Sequence, residues 1–205
     1  QRVRDNYIAR SQKGFYMGGP VPMGFKRVDV TIDGIKTAMY EQIPEEVEVV
    51  KKVYEMYSSV NNSCYDIAEA VRNMPSSSVR KRVVTCARVQ DFIKNPIYVK
   101  ADMNIYNFYK SKGTKIINPP EDFIGTNGCY LYRGDKDTSK QTDLSNAVLV
   151  IAPHEGFIDS DLWIACRERA LAQQQIKRNP KAKNTWLAGL IKCGNCGYAI
   201  VKKTY

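Results

Sequence analysis

Residues 63–96 read SCYDIAEAVRNMPSSSVRKRVVTCARVQDFIKNP, and the fold reading turns on this stretch. Ser63 and Asp66 have the spacing of a capping pair that opens a short helix, with Ile67, Ala68, Val71 and Met74 on one side. Pro75-Ser76-Ser77-Ser78 ends it, and Arg80-Lys81-Arg82 charge the loop that follows. Thr85 suits the N-cap of a second helix from Cys86 to Lys94, which Asn95-Pro96 closes. Two short helices around a basic loop form a helix-turn-helix-like unit, with a loop longer than the usual tight turn. In the second helix Cys86, Val89, Phe92 and Ile93 are expected to point inward. Ala87, Gln90, Asp91 and Lys94 recur at i, i+3, i+4 and i+7 and share another face, bordered by Arg88.

That face suggests a duplex. An α-helix fits the major groove, where Gln pairs bidentately with adenine and Arg with guanine. Arg72, Arg80, Lys81, Arg82, Arg88 and Lys94 stand against the single Asp91, and such a surplus sets register through phosphate contacts. The bland alternative is an amphipathic helix with a solvated outer face, and Asp91 favours it.

Upstream, residues 1–12 read as the end of a helix stopped by Gly14. Gly18-Gly19-Pro20-Val21-Pro22 is a rigid connector. Asp33-Gly34 between Val- and Ile-bearing runs predicts a β-hairpin over 25–42, since Gly tolerates positive φ. Pro44 opens a helix with Glu45 and Glu46 at its positive end and Val47, Val50, Val53, Tyr54 and Tyr57 facing a core. Downstream, Ile97–Val99 reads as a short strand and Asp102–Lys112 as a helix closed by Gly113. Residues 114–146 are loop-rich, with an apolar run at Cys129–Tyr132. Ala147–Ala152 is a buried strand, and Asp159 or Ser160 caps a further helix carrying Leu162, Trp163, Cys166, Ala170 and Leu171.

The chain has 205 residues with 31 Lys+Arg against 21 Asp+Glu, a net charge of +10. From Arg169 to Tyr205 there is no acid at all. Lys177, Arg178, Lys181 and Lys183 fall in that tail, a one-signed field suited to a polyanion. Hydrophobic content of 43% excludes a disordered chain, and no apolar run reaches the ~20 residues that cross a bilayer. No signal peptide and no initiator Met are present, so a piece of a longer cytoplasmic protein is expected.

Six cysteines occur. Cys64, Cys86, Cys129 and Cys166 are scattered as buried thiols would be. Cys193-Gly194-Asn195-Cys196-Gly197 is half of a zinc knuckle, with no second CxxC to complete a tetrahedral S₄ site. A thiol oxidoreductase would need this pair to open a helix, and Tyr198-Ala199-Ile200-Val201 does not read as one. Tyr98, Tyr106, Tyr109, Tyr130 and Tyr132 offer stacking faces for bases, against the plainer reading of core aromatics. His154, the single histidine, lacks a metal or triad partner at recognisable spacing.

These blocks in order resemble the large serine recombinases. Lys13-Gly14 and Met17-Gly18-Gly19-Pro20-Val21-Pro22-Met23-Gly24-Phe25 are similar to the entry of that family's recombinase domain. Pro44-Glu45-Glu46-Val47, Ile67-Ala68 and Val84-Thr85 through Asn95-Pro96-Ile97-Tyr98 are similar to its helices. Ala152-Pro153-His154-Glu155-Gly156-Phe157-Ile158-Asp159 and Leu187-Ala188-Gly189-Leu190-Ile191-Lys192-Cys193 resemble the opening of its zinc-ribbon domain. Val84 stands where the family often has Trp, and Lys100 where it commonly has Gly.

The resemblance implies an α+β chain. A long linking helix would end at residues 1–12. A helix-rich recombinase domain with hairpin and helix-turn-helix-like unit would span 13–146. A truncated mixed α/β zinc-ribbon domain would follow at 147–205. It implies that both modules bind double-stranded DNA at attachment sites of a mobile element. A resolvase-type domain elsewhere would supply the serine that cuts DNA, so no catalytic residue is expected here. Zinc on Cys193 and Cys196 is implied for the full-length protein, as are a dimer on each site and a tetramer in the synapse. The alternative is a helix-turn-helix transcription regulator with a zinc-ribbon tail.

Overall fold

The computed structural model describes residues 2–32, 34–75, 84–133, 143–174, 190–195 and 197–198. It is α+β. In chain order the described elements are α1 (Arg2–Gln12), β1 (Phe25–Ile32), β2 (Ile35–Gln42), α2 (Pro44–Ser58), α3 (Cys64–Asn73), α4 (Cys86–Lys94), α5 (Met103–Ser111), β3 (Lys115–Ile116), β4 (Asn127–Arg133), β5 (Ala147–Glu155) and α6 (Ser160–Gln174). The chain forms two compact units, Gln1–Ala170 and Leu171–Tyr205.

Local chemistry sets several helix ends. The Ser63 side chain accepts from the Asp66 N–H while Asp66 accepts from the Ser63 N–H, so the capping box is formed. Thr85 accepts from the Arg88 N–H at the start of α4, and Asp102 accepts from the N–H groups of Asn104 and Ile105 at the start of α5. Gly14 (φ 72°) and Gly113 (φ 73°) follow α1 and α5 in the left-handed conformation that ends a helix. β1 and β2 pair antiparallel from Phe25↔Gln42 to Ile32↔Ile35, and Asp33 of the expected Asp33-Gly34 turn lies outside the described residues.

The hairpin is joined to α2 at its base. Glu46 is buried, and its carboxylate accepts from the Gly24 N–H at 3.0 Å. It also lies in the first turn of α2, where the helix dipole favours a negative charge. Beneath the hairpin, Phe25 stacks on Tyr98 at 5.8 Å between centroids and contacts Tyr40, His154 and Phe157. Burying a side chain such as Phe25 contributes roughly 1.5–3 kcal/mol.

The second sheet has the order β3-β5-β4. β5 runs parallel to β3 and antiparallel to β4, with Leu149 opposite both Ile116 and Leu131. β5 is the middle strand of a sheet whose edges come from earlier sequence, and the compact unit runs on through Ala170. The structure corrects the reading of Ile97–Val99 as a strand. Pro96–Tyr98 is one turn of 3₁₀ helix, and only Val99 makes a β-bridge, to Ile158. Asn95 drives this turn by accepting from the Ile97 N–H.

Helices α2, α3 and α4 pack together, and α6 locks them. Tyr54 donates to the Phe92 carbonyl at 2.6 Å, tying α2 to the last turn of α4. Trp163, fully buried, donates to the Asn95 carbonyl at 3.2 Å, just past the end of α4. Arg167 is fully buried beside Tyr54, Tyr57 and Tyr109, and desolvation lowers its pKa. Arg169 donates to the carbonyls of Tyr57, Ser59 and Val60 and stacks its guanidinium 4.7 Å above the Tyr57 ring.

α2 has no basic residue in its own last turn, so Arg169 serves as a cap supplied from 112 residues away. Hydrogen bonds from a charged donor contribute about 1.5–3 kcal/mol. Arg169→Met, which keeps an apolar stem, is therefore expected to cost about 2 kcal/mol in urea denaturation.

Candidate nucleic-acid interface

The surface of α4 differs from the sequence reading in three places. Val89, Phe92 and Ile93 are buried as expected, but Cys86, the first residue of α4, is exposed. Gln90 is half-buried, and its amide donates to the Tyr57 hydroxyl at 3.3 Å and to Cys64 Sγ at 3.0 Å. Its side chain joins α4 to α2 and α3 and is not presented to a ligand. Lys94 is half-buried on the same flank, where desolvation first, and the nearby Arg167 second, lower its pKa. α4 exposes Cys86 at its start and the strip Ala87, Arg88 and Asp91. Half of the expected 87/90/91/94 face is thus accessible and half is used in packing.

Arg72 is also committed to the fold. Its guanidinium donates to the Val84 carbonyl at 3.3 Å, holding the lead-in of α4 against the end of α3. Arg80, Lys81, Arg82, Lys177, Arg178, Lys181 and Lys183 lie outside the described residues.

One wall beside the exposed strip was not foreseen. A cleft of about 240 Å³ separates α4 from the connector, with Arg88, Asp91 and Asn95 on one side, Pro20, Val21 and Pro22 on the other, and Phe92 and Tyr98 below. Gly18 and Gly19, at φ 88° and 105°, are exposed, with nothing within 4 Å of where a Cβ would stand. Gly-Gly-Pro at this point presents bare backbone next to a helix edge. The rigidity of the connector is legible from its prolines. Its docking against a helix some 65 residues later has no local signature.

The other chemistry-bearing groups are structural. His154 is buried among Phe25, Tyr40 and Tyr130, with Nε2 at 2.9 Å from the Ile97 carbonyl and Nδ1 without a hydrogen-bond partner among the described residues. Burial pushes its pKa down from 6.5 to about 4. The folded state therefore resists protonation while the unfolded state accepts a proton below pH 6.5. This contribution to stability is complete above pH 6.5 and is lost as pH falls toward 4, to a total of about 3 kcal/mol. Urea midpoints of wild type and His154→Gln, compared between pH 7 and 5, check it. The variant should show the shallower dependence.

Of the tyrosines offered for base stacking, Tyr98, Tyr109 and Tyr130 are buried. Tyr106 packs on Phe123 at 5.2 Å between centroids, and the Tyr132 hydroxyl donates to the Phe15 carbonyl at 3.3 Å. All five belong to the packing of the larger unit.

In the second unit, Cys193 N–H donates to the Tyr198 carbonyl at 2.8 Å and Gly197 N–H to the Cys193 carbonyl at 2.9 Å, with Gly197 at φ 69°. Cys196 itself lies outside the described residues. No group of three or more His, Cys, Asp or Glu side chains suited to a metal occurs among the described residues. Cys129 and Cys166 are buried in the larger unit, and Cys64 accepts from Gln90. Cys193 is the one sulfur donor among the described residues of the second unit.

A family model described as Recombinase matches residues 44–173, more than half of the chain. No curated protein matches the chain. No solved structure matches it either. No helix among the described residues is long and apolar enough to cross a membrane.

Proposed function

This chain belongs to the Recombinase family, that of the large serine recombinases, and on that premise we propose that it is a duplex-DNA-binding part of a site-specific recombinase that recognises attachment sites of a mobile element. The family carries a role in site-specific recombination and implies DNA binding. The single observation that supports the finer reading is α4. It is a capped helix anchored at both ends by Arg72–Val84 and Trp163–Asn95, and it keeps Ala87, Arg88 and Asp91 exposed. Fixing a helix while leaving one edge open is what insertion into a major groove requires.

In this reading Arg88 reaches a base edge. Arg80, Lys81 and Arg82 grip phosphates just before the helix, and Lys177, Arg178, Lys181 and Lys183 follow the backbone. Zinc held by Cys193 and Cys196 with a second pair would order the smaller unit in the full-length protein. Strand cleavage by a serine is assigned to a resolvase-type domain of that protein.

The test is a footprint of the protein on the junctions of its host element, titrated with salt. A protected segment at the junction, weakening linearly in log K against log salt, is expected. Equal affinity for junction and unrelated DNA would refute attachment-site recognition and leave a non-specific binder.

A further inference from the structure

We propose that Arg88 and Asp91 form a two-residue base reader, Arg88 donating to a guanine and Asp91 accepting from the exocyclic amino group of a cytosine on a neighbouring pair. The proposal rests on α4 facing the duplex and adds which bases it selects.

Three observations carry it. First, these are the two charged side chains on the exposed strip of α4, after Gln90 and Lys94 are withdrawn into the helix packing. Second, neither makes a hydrogen bond or salt bridge through its side chain among the described residues. The bond recorded for Arg88 is through its backbone N–H, and the field of Asp91 is felt by Lys94. Third, both line the same cleft, beside the connector. Residues three apart on a helix are separated by about 4.5 Å along the axis and about 60° around it. Stacked base pairs rise about 3.4 Å, so the two groups address adjacent pairs.

A carboxylate in this position is the informative part. On a surface that only grips phosphate it repels the ligand. In the major groove it can only accept, and the amino group of cytosine is the edge it matches. Adenine sets its N7 acceptor beside its amino group, which an ionised carboxylate opposes. Asp91 would therefore admit one base and penalise the others, lowering affinity for unrelated DNA as it does so.

The experiment is binding-site selection from DNA randomised over the protected segment, using the full-length protein and its Asp91→Ala, Asp91→Asn and Arg88→Ala variants, each first checked for an unchanged thermal midpoint. Wild type is expected to prefer cytosine at one position and guanine next to it, each by roughly 5- to 150-fold, the span of 1–3 kcal/mol. Asp91→Ala should erase the cytosine preference alone and raise affinity for unrelated DNA severalfold. Asp91→Asn should switch that position toward adenine, the base that an amide pairs bidentately. Arg88→Ala should erase the neighbouring guanine.

Identical position-by-position preferences in wild type and Asp91→Ala, with the footprint intact, would overturn the proposal and spare the DNA-binding reading. So would equal loss of affinity for every sequence in Asp91→Ala. Absence of any junction footprint in wild type would sink both.

Discussion

Gly156→Ala is expected to prevent the larger unit from folding stably. A Cβ built at Gly156 stands 2.1 Å from the Val99 carbonyl oxygen, 2.5 Å from its carbon and 2.7 Å from the Lys100 nitrogen. All three are backbone atoms, so no rotamer change relieves the overlap. The two segments are held at this distance by paired hydrogen bonds. Phe157 and Ile158 N–H groups donate to the Tyr98 carbonyl at 2.8 and 2.9 Å, and Lys100 N–H donates to the Ile158 carbonyl at 2.8 Å. Separating them by the ångström or more that a methyl needs breaks these bonds and parts Tyr98 from Phe157, both buried.

The cost is expected to exceed about 4 kcal/mol, the range of the most damaging substitutions, against a total stability of roughly 5–15 kcal/mol. Circular dichroism and urea titration read the outcome. Gly194→Ala is the control, since nothing among the described residues lies within 4 Å of a Cβ at that position and no left-handed backbone is needed there. A Gly156→Ala protein with the wild-type urea midpoint would show that the approach of these two segments is wrong.

Neutralising Arg80, Lys81 and Arg82 together should have the largest effect on binding. If each contacts one phosphate, the slope of log K against log salt falls by about 0.9 per residue, so by about 2.7 in total. At ~0.1 M salt this corresponds to a loss of affinity of two to three orders of magnitude, shared by specific and unrelated sequences. The urea midpoint should hardly move. A variant that binds at low salt as wild type does would remove the loop from the interface and leave Arg88 and the tail as the electrostatic contacts. A loss confined to the attachment site would instead make the loop a base reader.

Local features were legible because their partners are a few residues away. Ser63 with Asp66, Thr85 with the Arg88 N–H, Gly14 and Gly113 each state their geometry within one turn of chain. The α+β class and the three packed helices followed from these ends and from the periodicity between them. Pairings across long separations were not legible. Gln90 carries the right spacing for an outer face, yet Cys64 and Tyr57 claim its amide from 26 and 33 residues away. Arg72 and Arg169 count as free cations in any charge sum, and both are bound to backbone carbonyls. Ala147–Ala152 reads correctly as a strand, but its membership in the sheet of β3 and β4 depends on pairing that periodicity does not encode. Of the candidate site, Arg88 and Asp91 stand exposed on α4, while Gln90, Lys94 and Arg72 are drawn into packing.

The anchoring of α4 by Trp163 has a consequence for biosynthesis. The donor lies 68 residues after the Asn95 carbonyl it binds. At roughly 5–20 residues per second of translation, about 3–14 s separate the appearance of the helix from that of its anchor. During this interval a nascent chain carries α2, α3 and α4 without the bonds that Trp163, Cys166 and Arg169 of α6 make to them. A polypeptide released before residue 163 would lack all of these bonds, so premature termination there yields a less stable product rather than a shorter working module.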